Sequence, residues 1–345
     1  MKFQIINNIE QWDSMRTQWA QLLQKSSIHV PFLEFDYLKA WWLTHGGSEW
    51  DPQKTQLNII TAKQDGQLIG IAPLFKSKNR EEKPALIFIG SVEVSDYLDF
   101  IALPEKLPDF LGEMLTFLEN IDDPANKLID LYNIPDYSNS LQVIEDLAQN
   151  KGWNFFKEKL QPAPFVNIPN EWETYLSNLD KKQRHEIRRK LRRLQEDTDS
   201  HWFIITDKTK IETETRSFMN MMALDPVKET FLTPSMREHM LNTCRQAMDN
   251  NWLHLSFLEI NNEKAAAYLC FQYEKCLWVY NSAWNPKFAQ YSPGWVLLAY
   301  IIQWGMENGI QKVDFMRGNE SYKYKFGGTD RYVMRVKLQK ITSLS

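Results

Sequence analysis

Two stretches concentrate residue types that could bind an anion and move a proton. The first, 278–294, ends in Tyr291-Ser292-Pro293-Gly294 and runs straight into an apolar segment. A strand that turns into a helix at Ser-Pro-Gly presents unpartnered backbone N–H groups at the positive end of the helix dipole, and a glycine there lets an anion approach closely. That arrangement is a cradle for a pyrophosphate. The same triplet is also an ordinary helix start, with Ser as cap and Pro at the first helical position. The second stretch, 314–328, holds Asp314, Glu320, Tyr322, Lys323, Tyr324 and Lys325 ahead of Phe326-Gly327-Gly328. It reads as a strand end followed by a turn rich in tyrosine and lysine. A third feature is the run 181–193, with eight Lys or Arg. Ile187, Leu191 and Leu194 share one face of a helix there, so the helix docks while turning a basic surface outward. RNA, anionic lipid or an acidic glycan could bind that surface, or it serves a local role.

The elements that must position these residues follow from periodicity and turn chemistry. The first 50 residues read as helices, with Trp12, Met15, Trp19 and Leu22 at helical spacing. Strands at 57–62 and 68–75 form a hairpin across Asp65-Gly66, and a further pair is expected at 85–89 and 97–103. A helix after Pro108, a short strand at 128–131 and a helix at 140–149 follow. Pro162, Pro164 and Pro169 mark the boundary between two domains, 1–160 and 161–345. In the second, helices from Trp172 and over 180–194 precede a strand at 202–205 and helices broken by Pro226 and Pro234. A hairpin of 253–260 and 265–273 crosses Asn261-Asn262, and a third strand covers 276–283. The next helix runs from a Ser292 cap to Gly309; strands at 313–315 and 332–338 close the domain. Each half thus repeats helices, hairpin, strand, helix and a short strand bearing a matching acid, Asp130 in the first and Asp314 in the second, which suggests an old duplication.

Taken together, the Tyr-Ser-Pro-Gly helix start, Asp314-Phe-x-x-Gly318 and Tyr322-Lys-x-x-Phe-Gly327 resemble the CelD-like (BcsL-like) acetyltransferase family of the GNAT superfamily. The ending is also similar to the Phe-Lys-x-x-Phe-Gly-Gly close of Fem-type peptidoglycan aminoacyltransferases, which carry two GNAT-like units. The resemblance implies an α/β fold of two tandem GNAT-like units, mixed sheets flanked by helices, with acyl-CoA, acetyl-CoA foremost, as co-substrate and no metal. The strands 276–283 and 313–315 would splay around pantetheine. Tyr280, Asn281, Tyr291, Ser292 and Gly294 would hold the cofactor, Asn281 polarising the acyl carbonyl or satisfying a strand edge. Tyr322, with Tyr324 as its rival, would protonate the departing thiolate. Asp314 or Glu320 would receive the amine proton, and Lys323 and Lys325 would neutralise a phosphate or carboxylate. In the first unit, Pro104-Glu-Lys-Leu-Pro108 stands where a cradle would be, so cofactor binding is not expected there. Asp96, Tyr97 and Asp99 would line a substrate cleft.

Composition sets the outer bounds. A net charge of -4 and a length of 345 residues suit a two-domain globular protein without a global field for nucleic acid or membrane. Three cysteines without C-x-x-C spacing argue against disulfide frameworks and zinc. The start lacks a signal-peptide pattern and no apolar run is long enough to span a bilayer, so a cytoplasmic location is expected. The leading expectation is acyl transfer to an amine of a small molecule or amino sugar. The alternatives are aminoacyl transfer from charged tRNA, the one reading with a nucleic-acid partner, and a non-catalytic glycan- or peptide-binding protein of the same fold.

Overall fold

The computed structural model describes residues 1–341. The chain divides into two compact units, Met1–Gln161 joined by the chain from Tyr332 onward, and Pro162–Arg331.

The first unit holds two sheets. One has four strands in the order Lys2–Ile6, Ile59–Gln64, Gln67–Ala72 and Ile101–Ala102. Its hairpin forms as the sequence indicates: Gln64 pairs with Gln67, and Asp65 and Gly66 between them both have positive φ, +52° and +81°. Two positive φ values give the tight turn whose twist matches that of the flanking strands. Pro73, which has no N–H for a ladder, ends this hairpin, and Leu74–Lys78 enters the second sheet instead. That sheet has six strands in the order Gln56–Leu57, Leu74–Lys78, Pro84–Phe88, Leu128–Pro135, Tyr332–Lys340 and Trp153–Pro162.

Expectations change in this unit. Lys2–Ile6 is a strand within the stretch expected to be helical. The pair 85–89 with 97–103 does not form; the latter shortens to Ile101–Ala102 and belongs to the other sheet. The last strand, expected to close the second domain, lies in the first unit, antiparallel to Leu128–Pro135. Its position has an electrostatic cause. Asp130 is fully buried in the neighbouring strand, and Arg335 grips it through two hydrogen bonds of 2.8 Å. A buried carboxylate needs such a partner, and local sequence cannot say which distant arginine supplies it.

The second unit is built on one sheet of six strands, in the order Phe165–Asn167, Lys312–Asp314, Cys276–Trp284, Glu263–Tyr273, Leu253–Ile260 and Ser200–Ile204. Asn261 and Asn262 turn its central hairpin at positive φ. The helix Pro293–Glu307 buries Val296, Leu297, Ile301 and Ile302 in the core of this unit. The basic helix Lys181–Asp197 is capped by Asp180, which accepts from the Gln183 N–H at 3.0 Å, and it docks through Ile187, Leu191 and Leu194 as its periodicity requires. Among the described residues no helix is long and apolar enough to cross a membrane.

Candidate active site

The strand Cys276–Trp284 sets the geometry. It pairs in parallel with Lys312–Asp314 only at Cys276, Leu277 and Trp278. On its other side the register against Glu263–Tyr273 steps from Leu269↔Asn281 to Cys270↔Val279, so Tyr280 is an extra residue without a ladder partner. A bulge of this kind bends the strand and takes its backbone out of regular pairing. The two parallel strands therefore separate just where the chain heads for the helix Pro293–Glu307.

A cavity of about 390 Å³ opens between the C-terminal end of the bulged strand, the start of that helix and Tyr322. Ser292, Pro293, Gly294 and Trp295 form one wall, and Tyr268, Ser282, Trp284, Lys228 and Tyr322 form the rest. Ser292 stands at the N-cap, but at φ +52° and ψ +53° its side chain caps no helical N–H; it instead accepts from Lys190 Nζ at 2.6 Å. The Gly294 N–H has no acceptor among the described residues, and a Cβ placed on Gly294 would meet no protein atom within 4 Å. The helix start thus combines a free donor, an open approach and a cation. Lys190 and Lys325 also lie over the Trp295 ring, at 5.1 and 5.6 Å. These features fit the diphosphate of a nucleotide-bearing cofactor, held by backbone N–H, dipole and lysine together.

Tyr322 sits in the short helix Ser321–Lys325 and packs edge-on against Phe315. Its hydroxyl makes no hydrogen bond to a described residue and faces the cavity. Burial, reinforced by the charge of Glu320, pushes this phenol above its ordinary value, so it stays protonated across the physiological range. Tyr324 is more exposed, and its hydroxyl is held by Asp330 at 2.8 Å. Of the two rivals, Tyr322 is the one that lines the cavity.

The remaining candidates divide clearly. Asn281 borders the cavity through Lys228, whose ammonium donates to its Oδ1 at 3.2 Å and to the Ser282 carbonyl. Glu320 lies near enough to influence both Lys228 and Tyr322. Asp314 is buried and accepts from the Met316 N–H at 3.0 Å, shaping the turn that follows. Lys323 is turned inward: its ammonium donates to the carbonyls of Met316, Arg317 and Gly318 at 3.0, 2.7 and 3.3 Å and pairs with Glu320 at 2.9 Å. With its charge consumed by the loop, Lys323 ties the turn together and has no donor left for a substrate. Tyr280 stacks towards Phe271 and Tyr291 lies under Arg193, so neither ring lines the cavity.

In the first unit, Tyr97 is buried beside Phe32. Asp99 is also buried, accepting from the Phe100 N–H at 2.8 Å and from Ser138, the cap of the helix Asn139–Lys151. Burial raises the Asp99 carboxyl to about 6. Both side chains are committed to neighbours within the unit, which differs from the open cleft lining expected of them; Asp96 is partly exposed.

Sequence reading missed Lys190 and Lys228. Lys190 had a signal: it falls three residues after Ile187 and four before Leu194, on the docking face of an otherwise solvated helix. Lys228 had none, since only the fold brings the helix Pro226–Phe231 to the bulged strand.

The stretch 181–324 matches the family profile described as an acetyltransferase (GNAT) domain. It begins with the basic helix and contains the bulged strand, the Gly294 helix start and Tyr322. Across nearly the whole chain the fold is similar to that of FemX, with a TM-score of 0.66, 10% identity and 97% of each chain covered. A conserved protein of unknown function from Bacteroides thetaiotaomicron VPI-5482 gives a TM-score of 0.64 at 12% identity, covering 98% of this chain and 100% of that one. L-PGS from Bacillus licheniformis gives 0.54 at 13%, covering 98% and 93%. At these identities the likeness is one of fold, and it agrees with the mixed α/β, GNAT-type architecture expected from the sequence. No curated protein matches the sequence.

Proposed function

We propose that the second unit is a CelD-like acyltransferase that moves an acyl group, acetyl foremost, from acyl-CoA to an amine. The observation that carries this reading is the single cavity in which the Gly294 helix start, the bulged strand and the Tyr322 hydroxyl face one another. Gly294, Ser292 and Lys190 would hold the pyrophosphate, and the backbone freed at the bulge would receive pantetheine and polarise the acyl carbonyl. The neutral amine nitrogen attacks the thioester carbon, the C–S bond breaks, Tyr322 supplies a proton to the leaving sulfur, and the proton shed by the nitrogen returns to the phenolate. A raised phenol remains a suitable donor because the same dry surroundings raise the proton affinity of the thiolate.

Thiol release from acetyl-CoA, followed across a panel of amines, tests the reading. Tyr322→Phe is expected to lower kcat by about 100-fold while leaving the dissociation constant for acetyl-CoA within about threefold of the parent, as loss of an acid made use of only in the transition state requires. An equal kcat in the variant would remove Tyr322 from the chemistry.

One observation favours a second reading, aminoacyl transfer from charged tRNA. Lys181, Lys182 and Arg184, at the start of the basic helix, have no ion pair among the described residues, whereas Arg188, Arg189, Lys190, Arg192 and Arg193 do. Free cations of this kind release counterions on binding a polyanion. Charged tRNA would then bind with an affinity that falls steeply with salt, and acetyl-CoA would not bind.

A further inference from the structure

A second cavity, of about 290 Å³, adjoins the first and shares Lys228, Ala283 and Trp284 with it. Its walls are apolar, formed by Met221, Met222, Leu224, Pro226 and Trp284. Leu224 and Trp284 are about half exposed, at 50% and 49%, and Val227 beside them reaches 80%. Apolar side chains gathered at the mouth of a cavity mark a place that receives an apolar body.

Two charged side chains among the described residues line this cavity, and they are opposite in charge. Lys228 has three N–H donors; Asn281 Oδ1 and the Ser282 carbonyl take two, leaving one for a ligand. Asp225 lines the same cavity and uses Oδ1 to cap the helix Pro226–Phe231 through the Val227 N–H at 2.9 Å, while Oδ2 has no partner among the described residues. A cation and a carboxylate on an apolar wall complement a molecule that carries a carboxylate, an ammonium and an apolar side chain. Burial also holds the Lys228 ammonium below its ordinary value, with Asp225 and Glu320 opposing that shift, so an added carboxylate would be favoured there.

We infer that this second cavity holds the acceptor, and that the acceptor is a free α-amino acid with an apolar side chain. The inference rests on the acyltransferase reading above. The carboxylate meets Lys228, the ammonium meets Asp225, and the side chain lies against Met222 and Leu224. The ammonium gives one proton to water; the neutral amine forms the N–C bond to the acyl carbon as the C–S bond breaks. Tyr322 protonates the sulfur and regains a proton from the nitrogen, leaving an N-acyl amino acid and the free thiol.

The test is thiol release from acetyl-CoA with L-leucine, L-leucinamide, glycine and glucosamine, alongside calorimetric binding of acetyl-CoA. The expected result is a kcat/KM for leucine at least about tenfold above each of the others, the margin a buried charge contact and an apolar pocket provide. Lys228→Met should bring leucine to within about threefold of leucinamide, and Leu224→Asp should bring it to within about threefold of glycine. If the protein binds acetyl-CoA but leucine is not turned over, or is turned over no better than the amide or the sugar, the acceptor assignment is overturned and the acyltransferase reading stands. If acetyl-CoA does not bind, both fall.

Discussion

Asp130 and Asp314 each stand third in a strand that pairs in parallel with a neighbour, Leu128–Pro135 and Lys312–Asp314, yet the two units use them differently. Asp130 is locked by Arg335, by Asn79 at 2.8 Å and by Tyr132 at 3.3 Å, all within the first unit. Asp314 instead shapes the turn that leads to Tyr322. The glycines show the same contrast. A Cβ on Gly70, in the first unit's hairpin, would lie 2.5 Å from the Phe110 ring, whereas one on Gly294 meets open space. The helix carrying Phe110, Leu107–Glu119, begins with Pro108 and Asp109, an acid in the first turn, where the second unit has Gly294 and Lys190. One order of elements thus supports two outcomes: aromatic side chains and ion pairs fill the interior of one unit, and a glycine and a bulged strand border an open cavity in the other. Side-chain volume and charge decide between them, and the order of strands does not.

The largest effect expected from this contrast lies in the first unit. Arg335→Met leaves Asp130 buried without its cation and should lower the stability of the first unit by about 3–5 kcal/mol. Denaturant unfolding should show the loss, and acetyl-CoA binding should persist wherever the protein remains folded. A change below about 1 kcal/mol would mean that the pair is not what holds the last strand.

The glycine contrast predicts a smaller, opposite pair of effects. Gly70→Ala forces a methyl against Phe110 and should cost about 1–3 kcal/mol, whereas Gly294→Ala, at a helix start with open space, should be neutral or stabilising by up to about 1 kcal/mol. Thermal melts of the two variants compare them directly. Equal melting temperatures would erase the distinction between filled and open.

How much of this was legible beforehand depends on the distance over which each feature is fixed. Hairpins at Asp65-Gly66 and Asn261-Asn262, the docking face of the basic helix and the limits of Pro293–Glu307 are local, and the residues announce them. Strand Phe165–Asn167 falls in the proline-marked boundary and Trp153–Pro162 goes without an expectation, because an edge position tolerates the prolines and exposed side chains that disguise a strand. Placement of Tyr332–Lys340 was not legible, since it depends on a partner some 200 residues earlier, Arg335 with Asp130 being separated by 205 positions. At the site, Gly294, Ser292 and Tyr322 could be found from motif and spacing. Lys323 could not be told from a ligand-binding lysine without seeing the carbonyls that surround it, and Lys228 required the bulge to be located first.

In the proposed function the open approach at Gly294 receives the pyrophosphate of acyl-CoA. Its most direct test is isothermal titration of acetyl-CoA into the parent protein and into Gly294→Val, with far-ultraviolet circular dichroism to confirm an unchanged fold. A Cβ at this position meets no protein atom within 4 Å, so the expected result is a normally folded variant whose affinity is weaker by about tenfold or more, equivalent to about 1.4 kcal/mol. A folded Gly294→Val protein that binds acetyl-CoA as tightly as the parent would contradict it and return Ser292-Pro293-Gly294 to the role of a simple helix start.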